Sequence, residues 1–132
     1  MRLSTKSEYS LLALIYLVRK EGNYVKIQDI CDRYGISKKY LEMLFSVLRQ
    51  NRYIQTKRGA EGGYRLARDP SEITLAEIVR LMDGALAPTE SVSRYFYADT
   101  PISQEERVLA VFEDIRNIIS DKMESVYLSD LA

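Results

Sequence analysis

Between Lys57 and Leu66 the chain reads Lys57, Arg58, Gly59, Ala60, Glu61, Gly62, Gly63, Tyr64, Arg65, Leu66, and three of its six glycines fall inside this stretch. Glycine at this density marks a backbone that must reverse through positive φ and that leaves no room for bulk at the turn. Ile54, Thr56 and Lys57 alternate into the turn and Tyr64 to Leu66 lead out of it. The pattern predicts a short β-hairpin with Arg58 at its tip. A two-stranded hairpin is not stable alone, so it must lean on whatever precedes it.

What precedes it predicts three helices. The first is expected to start at Thr5, with Glu8 completing a capping box, and to carry Leu11, Leu12, Leu14, Ile15 and Val18 at helical spacing before Gly22 and Asn23 end it. The second runs from about Ile27 to Tyr34, buries Ile27, Ile30 and Cys31, and stops at Gly35. After a turn of Gly35 and Ile36, Ser37 caps a third helix, with Lys38, Lys39, Tyr40 and Glu42 on one side and Leu41, Leu44, Phe45 and Leu48 on the other. Two short helices across a tight glycine turn make a helix-turn-helix, whose second helix here begins with cations. With the hairpin added, the unit is a winged helix.

Beyond the hairpin, Thr74 and Glu77 form a capping box ahead of Leu75, Ile78, Val79, Leu81 and Met82, and Gly84 ends this fourth helix. From Ala87 to Pro101 only a loop is expected, carrying the aromatic triplet Tyr95, Phe96 and Tyr97. Ser103 and Glu106 suggest a further capping box that opens a long last helix to about Ser125. Val108, Phe112, Ile115 and Ile119 repeat along it at alternating spacings of four and three, and Leu109, Val111, Ile118 and Met123 widen the stripe. So broad an apolar face needs a partner. The expected fold class is mainly α with a small β-hairpin wing, divided into a winged helix-turn-helix unit at 1–84, a loop and candidate sensor at 85–102, and a dimerisation helix with its tail at 103–132.

The net charge of zero hides a division between the halves. Met1 to Arg68 holds 14 Lys and Arg against 6 Asp and Glu, whereas Asp69 to Ala132 holds 5 against 13. The first half is therefore +8 and the second −8, and the basic half is where a polyanion would bind. The 132 residues suffice for one core, no apolar run reaches the about 18 residues of a membrane span, and the N-terminus lacks a secretion signal. The single Cys31 cannot form an internal disulfide, so a cytoplasmic location and no membrane partner are expected. With no histidine, one cysteine expected to be buried and no phosphate-cradling loop, the chain has no catalytic constellation and is expected not to be an enzyme. Glu105 and Glu106 suit the positive end of a helix and need no catalytic role.

These residues resemble the Rrf-two family of bacterial winged-helix transcription regulators, of the IscR, NsrR and CymR type, over nearly the whole chain. The resemblance is carried by Leu3 to Lys6, by Ile36 to Glu42, by the hairpin from Arg58 to Tyr64 and by Ile73 to Gly84. It implies a homodimer with crossed last helices that binds a palindromic operator on double-stranded DNA, usually as a repressor. It also implies that the recognition helix enters the major groove and the wing arginine the minor groove.

The expected DNA-contacting residues are Thr5, Lys6, Gln28, Ser37, Lys38, Lys39, Tyr40, Glu42, Lys57, Arg58, Gly59 and Gly62. Glu42 can accept from a cytosine amino group, Lys39 can donate to guanine or phosphate, and Arg58 suits a narrow A·T-rich minor groove. Gly62 and Gly63 are expected chiefly to shape the wing. The expected dimer interface is Val108, Leu109, Phe112, Ile115 and Ile119.

Several relatives of this type hold an iron–sulfur cluster on three cysteines in the loop before the last helix, but Pro88 to Pro101 contains none. No cofactor or metal is therefore expected, and Glu8 is assigned to helix capping. Tyr95, Phe96 and Tyr97 remain as a candidate effector loop for a small molecule or protein, against the competing role of packing across the dimer. The alternative function is a winged-helix protein-interaction module without specific DNA binding, although such a module needs no +8 half with cations at the recognition helix and wing.

Overall fold

The computed structural model describes residues 1–132 as five α-helices and one antiparallel hairpin. In chain order these are α1 (Thr5–Arg19), α2 (Ile27–Tyr34), α3 (Lys38–Gln50), β1 (Ile54–Lys57), β2 (Gly63–Leu66), α4 (Leu75–Asp83) and α5 (Glu106–Glu124). The winged helix is present as the sequence predicts. Gly35 ends α2 in the left-handed conformation at φ 68°, and the Ser37 hydroxyl accepts from the Tyr40 amide to open α3. The hairpin pairs Ile54 with Leu66 through Lys57 with Gly63.

One apolar core joins these pieces. Leu14 and Leu17 of α1, Ile30 of α2, and Leu41, Leu44, Phe45 and Leu48 of α3 are all closed to solvent or nearly so. Phe45 meets the Tyr64 ring edge-on at 4.7 Å, which fastens the second wing strand to the recognition helix. Cys31 lies within this core. Burial, followed by the charge of Asp32, pushes its thiol up from the ordinary range, so the nucleophilic thiolate is disfavoured.

Several local expectations are corrected. Ser4, not Thr5, caps α1: its hydroxyl accepts from the Ser7 amide, and it also donates to the Asp83 carboxylate at the far end of α4. The expected capping box at Ser103 does not form, because Pro101–Gln104 closes a 3-10 turn in which the Ser103 hydroxyl donates to the Thr100 carbonyl. Glu105 becomes the residue ahead of α5 and provides no side-chain cap. The Thr74–Glu77 box, by contrast, forms in full, with the Glu77 carboxylate accepting from the Thr74 amide at 2.8 Å.

Two long-range features carry no periodic signal in the sequence. Val25 exchanges both backbone hydrogen bonds with Tyr64 at 2.8 Å, adding a third short rung beside the hairpin. The end of the chain returns to the winged helix: the Leu75 amide donates to the Val126 carbonyl, the Leu128 amide donates to the Ile73 carbonyl, and the Leu128 side chain is fully buried in the main core. The tail is thus part of the packing of the first 84 residues.

The stripe on α5 is rotated from its expected position. Ile119 and Met123 pack inside the chain on Ala76, Val79 and Leu86, so Ile119 is not a free interface residue. Val108, Val111, Ile115 and Ile118 are exposed, with Ile118 71% open, whereas Leu109 and Phe112 are half-buried. Docking α5 on α4 uses one edge of the broad apolar face and leaves the other uncovered. No helix is long and apolar enough to cross a membrane.

Candidate nucleic-acid interface

The start of α3 is built to be held from behind and open in front. Tyr40 is half-buried, with its ring edge-on to Tyr9 at 5.7 Å and its hydroxyl 3.4 Å from the Thr5 hydroxyl. This packing ties the first turn of α3 to the start of α1 and brings Thr5, Ser37 and Tyr40 together. Lys38 and Lys39 stand exposed beside them. Lys38 lies 4.0 Å from Glu42 one turn on, a solvated pair that can part at little cost when a phosphate competes for the lysine. Lys6 is exposed on α1, and Gln28 is exposed on α2 with its amide donating to Asp32 at 2.8 Å.

Met43 is a residue that sequence reasoning left out. It is 47% exposed and shares a shallow surface depression with Ser37, Lys39 and Tyr40. A thioether at this place offers apolar contact to a thymine methyl. The signal was available, since Met43 follows Lys39 by one helical turn and falls off the Leu41, Leu44, Leu48 stripe.

The wing is braced from its strands up to its turn, and the Arg58 side chain is left without a partner. Lys26 donates to the Gly59 carbonyl at 2.9 Å, while Lys57 and Arg65 lie over the Tyr24 ring at 5.6 and 4.5 Å. Arg58 is exposed and takes part in none of the ion pairs of the chain. An unpaired guanidinium on a braced hairpin can enter a groove without first giving up a partner.

Gly59, at φ 103°, faces open space. Gly62 departs from the expected contact set: it is buried and its amide donates to the Gly59 carbonyl, so it has no free donor to offer. A Cβ there would lie 2.0 Å from the Lys57 carbonyl oxygen, and one on Gly63 would lie 2.3 Å from that of Val25. Both glycines allow close backbone approach.

Tyr95, Phe96 and Tyr97 are all exposed, on the loop between α4 and α5. Arg80 of α4 reaches over the Tyr95 ring at 4.7 Å.

The comparisons with known proteins agree with this geometry. Residues 3–132 match the family model Rrf2, described as an iron-dependent transcriptional regulator. The chain is 32% identical to the HTH-type transcriptional regulator CymR of Bacillus subtilis, over all of this chain and 90% of that one. It is 36% identical to the HTH-type transcriptional regulator IscR of Photorhabdus laumondii, over 99% of this chain and 79% of that one. The solved structure of CymR (YrzC), the global cysteine regulator of B. subtilis, superposes with a TM-score of 0.81 at 31% identity, covering 100% of this chain and 96% of that one.

The iron dependence in the family description does not fit the residues present. The loop that would carry cluster ligands has no cysteine, the chain has no histidine, and Cys31 is closed inside the core of α2 and α3. No three His, Cys, Asp or Glu side chains converge as metal ligands. A basic helix-turn-helix, a braced wing and a match along the chain converge on one conclusion: this protein belongs to the Rrf2 family of transcriptional regulators.

Proposed function

We propose that the protein is a sequence-specific, DNA-binding repressor that works in the cytoplasm as a homodimer on a palindromic operator. The first turn of α3 enters the major groove, where Lys38 and Lys39 meet phosphate or guanine and Met43 meets a thymine methyl. The wing lies along the adjacent backbone and places Arg58 in the minor groove. Glu42, once released from Lys38, accepts from a cytosine amino group.

The observation that carries this reading is the arrangement at the start of α3: Tyr40 is clamped by Tyr9 and Thr5 while Lys38, Lys39 and Met43 are left exposed. Positioning residues are fixed and reading residues are free. The second subunit is supplied by the uncovered seam of Val108, Val111, Ile115 and Ile118, whose spacing of three, four and three matches a helix–helix seam. Crossing two such helices presents two reading heads with the two-fold symmetry of a palindrome.

The test is to incubate purified protein with sheared genomic DNA from its source, recover the bound fragments and sequence them. A shared inverted repeat upstream of a small set of genes is expected. Recovery of fragments in proportion to their abundance, with no common sequence, would contradict specific recognition.

A further inference from the structure

Tyr24, Val25 and Lys26 run beside the wing, and each holds a different level of it. The Tyr24 ring lies under Arg65 and Lys57, Val25 exchanges backbone hydrogen bonds with Tyr64, and the Lys26 ammonium donates to the Gly59 carbonyl at 2.9 Å. The first two contacts fall on β1 and β2. Only the third reaches the turn from Arg58 to Gly62, where the Gly62 amide donates to the same Gly59 carbonyl at 3.0 Å.

Local helix energetics do not explain a lysine at this position. Lys26 is the N-cap of α2, where Ser, Thr, Asp and Asn satisfy free amides, yet its side chain makes no capping bond and its charge opposes the positive end of the helix dipole. Nor does a carboxylate account for it, because Lys26 takes part in none of the ion pairs of the chain. Its backbone, by contrast, is firmly anchored: Val25 and Ile27 on either side are buried in the main core. An ammonium on that anchor ties Gly59 to the core, and Gly59 follows directly on Arg58.

We propose that Lys26 is a positioning residue of the wing: it holds the turn at the Gly59 carbonyl and so presents Arg58 to the minor groove at a fixed depth. The inference rests on the reading of the protein as a DNA-binding regulator. A hairpin of four residue pairs is not rigid by itself, and Gly59, at φ 103° with open space where a Cβ would stand, lets its turn swing. Without the Lys26 contact, Arg58 has to be ordered at the moment of binding, and the entropy lost there weakens the complex. Lys26 acts through Arg58 and needs no contact of its own with DNA.

The test is a double-mutant cycle on the full-length protein with Lys26→Met, Arg58→Ala and the two combined, read by fluorescence anisotropy on the operator recovered from genomic DNA. Methionine keeps an unbranched stem and removes the donor. Lys26→Met is expected to weaken operator binding about fivefold or more in the parent and less than about twofold once Arg58 is gone. Its melting temperature is expected to equal or exceed that of the parent, because the helix loses a cation from its positive end. Without DNA, ¹⁵N relaxation of Lys26→Met is expected to show order parameters below about 0.6 at Gly59, Ala60 and Glu61, while Tyr64 and Arg65 stay with the rigid backbone.

Equal losses in both backgrounds overturn the proposal and make Lys26 a phosphate contact in its own right. Unchanged order parameters at the turn overturn it whatever the DNA measurements give, because the turn then holds itself. A parent protein that binds operator and scrambled duplex alike overturns the regulator reading and the groove role of Lys26 with it, whereas a failure confined to the variants leaves that reading standing.

Discussion

Arg58 and Lys38 are both exposed cations of the basic half, yet the fold places them in different settings. Arg58 stands at the end of a braced hairpin, so its loss is predicted to weaken operator binding by about 1–3 kcal/mol while leaving the melting temperature unchanged. Fluorescence anisotropy on a labelled operator, beside a thermal melt, checks both halves of that statement. Lys38 lies in the first turn of α3 beside a solvated carboxylate, and Lys38→Ala is predicted to weaken all duplexes alike and to reduce the salt slope by about 1 per subunit. A selective loss on the operator alone would move Lys38 from phosphate to base.

Asp83 makes a separate prediction about acid. Partial burial works against its ionised form, but hydrogen bonds from the Ser4 hydroxyl and amide prevail and hold the carboxyl below its usual range. A depressed carboxylate contributes stability that is fully present above the unfolded value near about 3.9 and is lost as pH falls through the folded value. Asp83→Asn is therefore expected to lower stability at neutral pH and to flatten the loss below about pH 4. Urea midpoints across pH 3 to 7 read this out, and parallel curves for the two proteins would count against it.

Among the elements, those with purely local causes were legible and those with distant causes were not. Gly35 and Ser37 bracket the turn, Thr74 and Glu77 form their box, and Gly62 and Gly63 of the wing fall where a Cβ would strike backbone. The start of α1 at Thr5 was legible, but its cap was misplaced by one residue because Ser4 and Thr5 are both competent caps, and only the partnership with Asp83, 79 residues away, distinguishes them. Ser103 has cap spacing to Glu106, but Pro101 starts a tighter turn that takes its hydroxyl first. Leu128 has no amphipathic pattern around it, so its burial beneath Ile73 could not be anticipated.

Two substitutions test these elements. Leu128→Ala is predicted to cost about 2–5 kcal/mol in chemical unfolding, as for a fully buried leucine, although it lies only four residues before Ala132, where chain termini are commonly frayed. A change within about 0.5 kcal/mol would place the tail outside the cooperative unit. Gly62→Ala is predicted to destabilise by more than about 1 kcal/mol, because the obstructing atoms belong to the backbone of Lys57 and Arg58 and cannot rotate away.

At the scale of the molecule, charge and apolar surface divide the labour. The first 68 residues carry the +8 that faces a polyanion, and the remainder carries −8 along with the uncovered seam. The sequence showed that α5 has more apolar surface than one neighbour can cover, but not which edge α4 takes. Ile119 and Met123 went inward, leaving Ile115 and Ile118 in the open. Ile118→Asp, on the most exposed of these positions, is predicted to shift sedimentation from dimer to monomer and to reduce operator affinity with it, while the monomer remains folded. A folded dimer in that variant would move the interface elsewhere.

The central claim is that the basic half reads a particular duplex through a defined set of phosphates and bases. Its most direct measurement is the affinity of the parent protein for its operator and for a scrambled duplex of equal length, as a function of salt. With Lys38 and Lys39 of two subunits on phosphates, log affinity for the operator is predicted to fall against log salt with a slope of about −4 or steeper. The operator is also predicted to be bound about 10³-fold or more tightly than the scrambled duplex at physiological salt. Equal affinity for the two duplexes, or a slope near zero, would contradict the account.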